Sequence, residues 1–254
     1  MGRDLMYRSS TSVFETVDDG IVEIMDGRPA VIFDLDGTLV DSERNHYEAG
    51  RRTLAEHGVT DYDWERHAEF IGIGTRETLE MLRARHRIPA SVDGLLAVNN
   101  RHYVELARRS TSVFPQMRRF VEMLNEAGHP MAVASGSSRA AIDAVLTGSG
   151  LGALITTAVS SEEVRYGKPA PDVFLEAARR LNVSPAQCTV VEDSPPGAQA
   201  ARHAGMRCIA VPCTTDQARD PHFTGVGLLF EGGHKEFTAD AASAWLTLTT
   251  QETH

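Results

Sequence analysis

The chain is 254 residues long, 42% hydrophobic and 24% charged, enough to bury a substantial core as one domain with a large insertion or as two modest domains. Its formal net charge of -10 excludes non-specific binding to nucleic acid or to an anionic membrane, because both need basic faces. Three cysteines, Cys188, Cys208 and Cys213, are too few and odd in number for a disulfide framework; they read as small hydrophobes in or near strands of a protein in a reducing compartment.

In chain order, residues 1–28 form an N-terminal extension in which "SVFETV" and "GIVEIM" alternate around "DDG", the pattern of a short hairpin with an Asp-Gly turn. It lacks the continuous apolar stretch of a signal peptide, and no segment reaches the ~18 apolar residues of a membrane span, so the cytoplasm is the expected location. From Pro29 onward the β-rich runs "AVIFD", "MAVAS", "ALITTAVS", "CTVVED" and "CIAVP" are separated by stretches with apolar residues at helical spacing. That alternation predicts an α/β fold, a parallel sheet covered by helices. One interval breaks the rhythm: residues 42–113 hold no convincing strand and read as several helices, among them "GTRETLEMLRARHR" and "GLLAVNNRHYVELARRS". A helical insertion after the first strand is the simplest account, leaving residues 29–41 and 114–254 as the core and the last twenty or so as a peripheral helix.

Ligands of a parallel sheet collect at the carboxyl ends of its strands, and four polar clusters fall there. The first strand ends in Asp34 and Asp36, two carboxylates that repel each other unless a cation or proton lies between them. "VASGSSR" places Ser135 and Gly136 where backbone N–H groups cradle an anion at a helix start, "YGKPAPDVF" offers Lys168, and "VVEDSPPGAQAA" ends a strand in Glu192 and Asp193. Any one of these alone reads as a turn, a cap or a solvated loop. In this order, each after its own strand, they make a physical unit: oxygen ligands for a hard divalent cation such as Mg2+, Asp34 to attack phosphorus, Asp36 to handle the proton, and Ser135 and Lys168 to hold the transferring group.

"DLDGTLVDS", "VASGSSR", "GKPAPDVF" and "VVEDSPPGAQAARHAGM" resemble, in order, the four signature motifs of the haloacid dehalogenase superfamily of phosphohydrolases, from about Pro29 to Val211. The insertion is similar to the helical cap of the β-phosphoglucomutase-like branch, which includes many sugar phosphatases. The resemblance implies a Rossmann-like core with an inserted α-helical cap domain. It makes Asp34 the aspartyl nucleophile and Asp36 the general acid and base, with the Asp36 backbone carbonyl joining Asp34, Glu192 and Asp193 around Mg2+, and Ser135 and Lys168 in the phosphate-binding positions. Dehalogenase relatives lack the second aspartate and the metal, and phosphonate-cleaving relatives need a cap lysine, whereas the two lysines here, Lys168 and Lys235, lie outside the insertion.

Thr38 is the residue typical of phosphatase members. His46 matches a histidine that mutases carry at the start of the cap, and Arg76 matches a cap arginine that grips a distal phosphate. Arg139 is expected near the entrance, and Glu43, Arg44 and Asn45 in the hinge. The expectation is a Mg2+-dependent phosphatase acting as a monomer on a small phosphorylated metabolite, a sugar or sugar-like phosphate, with no nucleic-acid or membrane partner. A β-phosphoglucomutase-type hexose-phosphate mutase and a catalytically silent binding protein remain the alternatives, and His222 and His234 read as surface residues.

Overall fold

The structure is a computed structural model that describes residues 28–71 and 73–251; the hairpin expected in the N-terminal extension lies outside the described residues. Strand β1 (Ala30–Phe33) leads into the short β2 (Val40–Asp41). Four helices follow, α1 (Glu43–Ala55), α2 (Trp64–Ala68), α3 (Thr75–His86) and α4 (Val92–Arg109), before β3 (Ser112–Val113) returns antiparallel to β2. Strands and helices then alternate: α5 (Pro115–Glu126), β4 (Met131–Ser135), α6 (Arg139–Ser149), β5 (Thr157–Ser160), α7 (Asp172–Leu181), β6 (Cys188–Glu192), α8 (Pro195–His203), β7 (Arg207–Ala210), β8 (Leu228–Leu229) and α9 (Ala239–Gln251).

Six strands form one sheet in the order β5-β4-β1-β6-β7-β8, every pairing parallel. Strands buried on both faces draw near-continuous apolar runs, and "AVIF", "MAVAS" and "CTVVE" are buried at every position, with Thr189 and the strand-ending Ser135 and Glu192 the polar exceptions. Successive residues feed opposite layers: Val31 and Phe33 join a cluster with Phe120, Val145 and Phe237, while Ala30 and Ile32 join Phe174, Val190 and Ala201.

The insertion has a core of its own, built from Leu54, Tyr62, Phe70, Leu79, Leu82, Ile88 and Leu95. It also rests on the sheet layer, because Ala49 of α1 and Tyr103 and Ala107 of α4 belong to the Phe33 cluster. Helix α4 crosses α6 so closely that a Cβ on Gly148 would lie 1.9 Å from the Ala107 carbonyl oxygen.

Two details depart from the sequence expectation. The run "ALITTAVS" becomes a strand only at Thr157, since Gly150 turns left-handed (φ 73°) and residues Leu151–Ala153 form a 3-10 turn. Strands β2, β3 and β8 are two residues each, too short to leave a periodicity.

Candidate active site

Parallel register brings the strand ends level. Phe33 stands opposite Val133 on one side and Val191 on the other, so Asp34, Ser135 and Glu192 emerge at one edge of the sheet. Lys168, from the loop between β5 and α7, bridges two of them: its Nζ donates to Asp34 Oδ1 at 2.5 Å and to Glu192 Oε1 at 2.7 Å. The other Glu192 oxygen accepts from the Ser194 N–H and hydroxyl, and helix α8 presses so near that a Cβ on Gly197 would fall 1.7 Å from Glu192 Oε1. Asp193 accepts from the Thr38 hydroxyl at 2.9 Å and the Cys213 thiol at 3.1 Å.

Two carboxylates thus share one ammonium in a buried corner, with a third, Asp193, beside them. Burial pushes Asp34 well above the usual carboxylate range, and the neighbouring Glu192 and Asp193 add to the rise against the opposing pull of Lys168. Asp193 is pushed up to about 7, by burial first and then by Glu192. Burial would lower Lys168, but Asp34 and Glu192 outweigh it and hold the ammonium charged.

Asp36, two residues on, has entirely different partners. Tyr103 of α4 donates to its Oδ1 at 2.8 Å and Ser137 to its Oδ2 at 2.7 Å, while His46 Nε2 stands 3.7 Å from Oδ1 and its ring stacks on Tyr103. Burial alone would raise Asp36; the neighbouring His46, then Ser42 and Ser137, instead hold it well below the carboxylate range. The sharp loop behind both aspartates depends on Gly37, whose φ of +84° suits glycine and whose Cβ would meet Asp193 Oδ2 at 2.5 Å. His234 braces that loop. Its Nε2 bonds the Gly37 carbonyl at 2.7 Å, its ring stacks on Phe114, and burial lowers its pKa.

A cavity of about 520 Å3 opens between this edge and the helical insertion. Asp36, Gly37, Asp193 and Cys213 form its floor, and Glu43, His46, Tyr62, His67, Phe70 and Leu79 are among the residues on its helical side. There His67 is buried between two partners, with Nε2 2.6 Å from Glu43 Oε1 and Nδ1 3.0 Å from the Tyr62 hydroxyl.

Residues 31–211 match the family model described as haloacid dehalogenase-like hydrolase. The chain belongs to that family. Among curated members of the haloacid dehalogenase-like hydrolases and their relatives, it is 34% identical to the fructose-1-phosphate phosphatase YqaB of Escherichia coli, over 71% of this chain and 95% of that protein. It is also 34% identical to a bifunctional riboflavin kinase/FMN phosphatase of Arabidopsis thaliana, over 74% of this chain, but it spans only 49% of that longer protein. The crystal structure of CbbY from Rhodobacter sphaeroides in complex with phosphate superposes with a TM-score of 0.67 at 27% identity, covering 81% of this chain and 94% of that one.

Two of the residues expected in the site of this haloacid dehalogenase-like hydrolase lie elsewhere. Arg76 pairs with Asp93 at 2.8 Å on the exposed face of the insertion, because the first turn of α3 directs it away from the cavity that Thr75 and Thr78 line. Arg139 clips α6 to the sheet, its Nη1 donating to the Ala158 carbonyl and its Nε lying 3.0 Å from Asp143. His222 pairs with Asp220, whereas His234, read as a surface residue, is half-buried against Gly37. Tyr103, Ser137 and Cys213 escaped the sequence reading as partners of the aspartates. Ser137 stood inside the quoted "VASGSSR", but nothing in the sequence directs Tyr103 or Cys213 toward Asp36 or Asp193.

The residues fit a divalent cation on the chemistry of the donor set: Asp34, Glu192 and Asp193 are hard oxygen donors with more negative charge than Lys168 offsets. Among the described residues no three His, Cys, Asp or Glu side chains converge in ligating geometry, and Lys168 Nζ occupies the space between Asp34 and Glu192.

Proposed function

We propose that this chain is a phosphatase that hydrolyses a small phosphorylated metabolite, a sugar or sugar-like phosphate, through a phosphorylated Asp34, with Mg2+ as its cofactor. The observation that carries the reading is the division of labour between the two aspartates: Asp34 is tied to a buried ammonium shared with Glu192, while Asp36 is held by two hydroxyls on the cavity side. Close carboxylates given unlike surroundings take unlike roles. Relatives named as phosphatases support the reaction class.

Asp34 attacks phosphorus as the bond to the leaving oxygen breaks. Asp36 gives that oxygen a proton. Water then attacks the phospho-Asp34, Asp36 takes the proton, and phosphate departs with Asp34 restored. Asp36, ionised at rest, suits the second step as it stands, and the first step draws on the proton held by the Asp36–His46 pair, since Asp36 and Glu43 outweigh burial and raise His46. Lys168, Ser135 and the N–H groups beginning at Gly136 hold the transferring oxygens. Asp34, Glu192, Asp193 and the Asp36 carbonyl would hold Mg2+, which supplies Lewis-acid neutralisation of phosphoryl charge. The mutase alternative loses one of its supports, since Arg76 engages Asp93 rather than the cavity.

The test is phosphate release from a panel of sugar phosphates with Mg2+, alongside glucose 1-phosphate with trace bisphosphate. Free phosphate that disappears with EDTA and returns with Mg2+ is the expected result. Isomerised sugar phosphate without free phosphate would contradict the phosphatase reading, and activity surviving exhaustive chelation would contradict the metal.

A further inference from the structure

The wall of the cavity carries information about what leaves. Among its described lining residues there is no Lys or Arg, while three carboxylates, Asp36, Glu43 and Asp193, face it. Its two imidazoles are already engaged, His46 beside Asp36 and His67 on Glu43. The Glu43 carboxylate lines the cavity with one oxygen, Oε1, held by the buried His67, itself fixed by Tyr62, and its other oxygen is a hydrogen-bond acceptor. Beside Thr75, Thr78 and Asn99, the helical side carries an apolar stretch of Phe70, Ile71, Ile73, Leu79 and Leu82, and Ile71 and Ile73 are exposed, 42% and 37%. An exposed apolar surface in a polar-rimmed pocket marks a ligand contact.

We infer that, if the phosphatase reading holds, the cap selects phosphate monoesters whose leaving group is uncharged, presents a hydroxyl to Glu43 and lays a carbon face on the apolar wall, and that it rejects leaving groups carrying a second phosphate or a carboxylate. Size does not make this choice, because about 520 Å3 admits either kind of ester. Charge does: a second anion would enter a space whose described lining holds carboxylates and no Lys or Arg to meet it, and like charges brought together without water are disfavoured.

The experiment compares kcat/KM for fructose 1-phosphate against fructose 1,6-bisphosphate, and for glycerol 3-phosphate against 2-phosphoglycolate, with Mg2+ and with p-nitrophenyl phosphate as a control. The member of each pair with the uncharged leaving group is expected to win by at least about tenfold. Thr78→Arg, which sets a cation on the wall, should shrink both ratios by about tenfold, and because each ratio is taken on one preparation, partial folding cancels. Equal or greater activity on the doubly anionic esters, with p-nitrophenyl phosphate still hydrolysed, overturns the inference and leaves the phosphatase standing. No hydrolysis of any ester, the control included, overturns the phosphatase reading and the inference with it.

Discussion

Asp34 and Asp36 are separated by one residue and by nearly everything else. One is buried against an ammonium and two further carboxylates, the other against hydroxyls and an imidazole. Asp34→Asn keeps the shape and removes the proposed nucleophile, so turnover should fall at least ~1,000-fold while the protein stays folded, since Lys168 keeps Glu192 as its partner. Phosphate release and thermal melting of protein checked for deamidation by mass spectrometry would show it; a well-folded variant with full activity would rule the mechanism out. That Asp34, Lys168 and Glu192 would meet was legible because each follows its own strand or loop at the sheet's carboxyl edge. Tyr103 was not, lying 67 residues from Asp36 on a helix whose facing is decided only by packing. Arg76 and Arg139 engage Asp93 and the Ala158 carbonyl instead, because neither a resemblance nor adjacency to a motif sets the direction of a long side chain.

Elements were readable in proportion to their length. The strand "MAVAS" is found residue for residue as β4, whereas the β2–β3 ribbon that joins the insertion to the core has two residues a side. How α4 docks was equally hidden, since it turns on one helix crossing. Gly148→Ala puts a methyl group into the Ala107 carbonyl and should cost about 1–3 kcal/mol in urea unfolding; an unchanged midpoint would mean that α4 does not rest on α6 in solution. Helix α1 offers a pH-dependent test. Arg51, and then Arg52, hold Glu48 down to about 2 from its ordinary 4.5 against a smaller effect of burial. A carboxylate lowered in the folded state stabilises above its unfolded pKa and loses that contribution as pH falls toward its folded one. Glu48→Gln should therefore cost about 0.5 kcal/mol at pH 7, and the difference should fade between pH 4.5 and 2; a difference constant over that window would mean the pairing is not ionic.

Across the whole molecule, the parallel sheet aligns the ends of β1, β4 and β6, and the helical insertion covers them to leave a cavity that residues of this edge and of the insertion share. The alternation of strands and helices was plain in the sequence. The character of the cavity was not, because its wall draws on residues from Asp36 to Gln217 that only the fold assembles. The central claim is that this edge transfers phosphate through Asp34, and reductive trapping tests it most directly. Enzyme turning over p-nitrophenyl phosphate with Mg2+ is quenched in acid, reduced with borohydride and mapped by peptide mass spectrometry. A phosphorylated Asp34 appears as homoserine at position 34 and at no other aspartate; unmodified Asp34 in an enzyme that is releasing phosphate, or conversion of Asp36 in its place, would contradict the account.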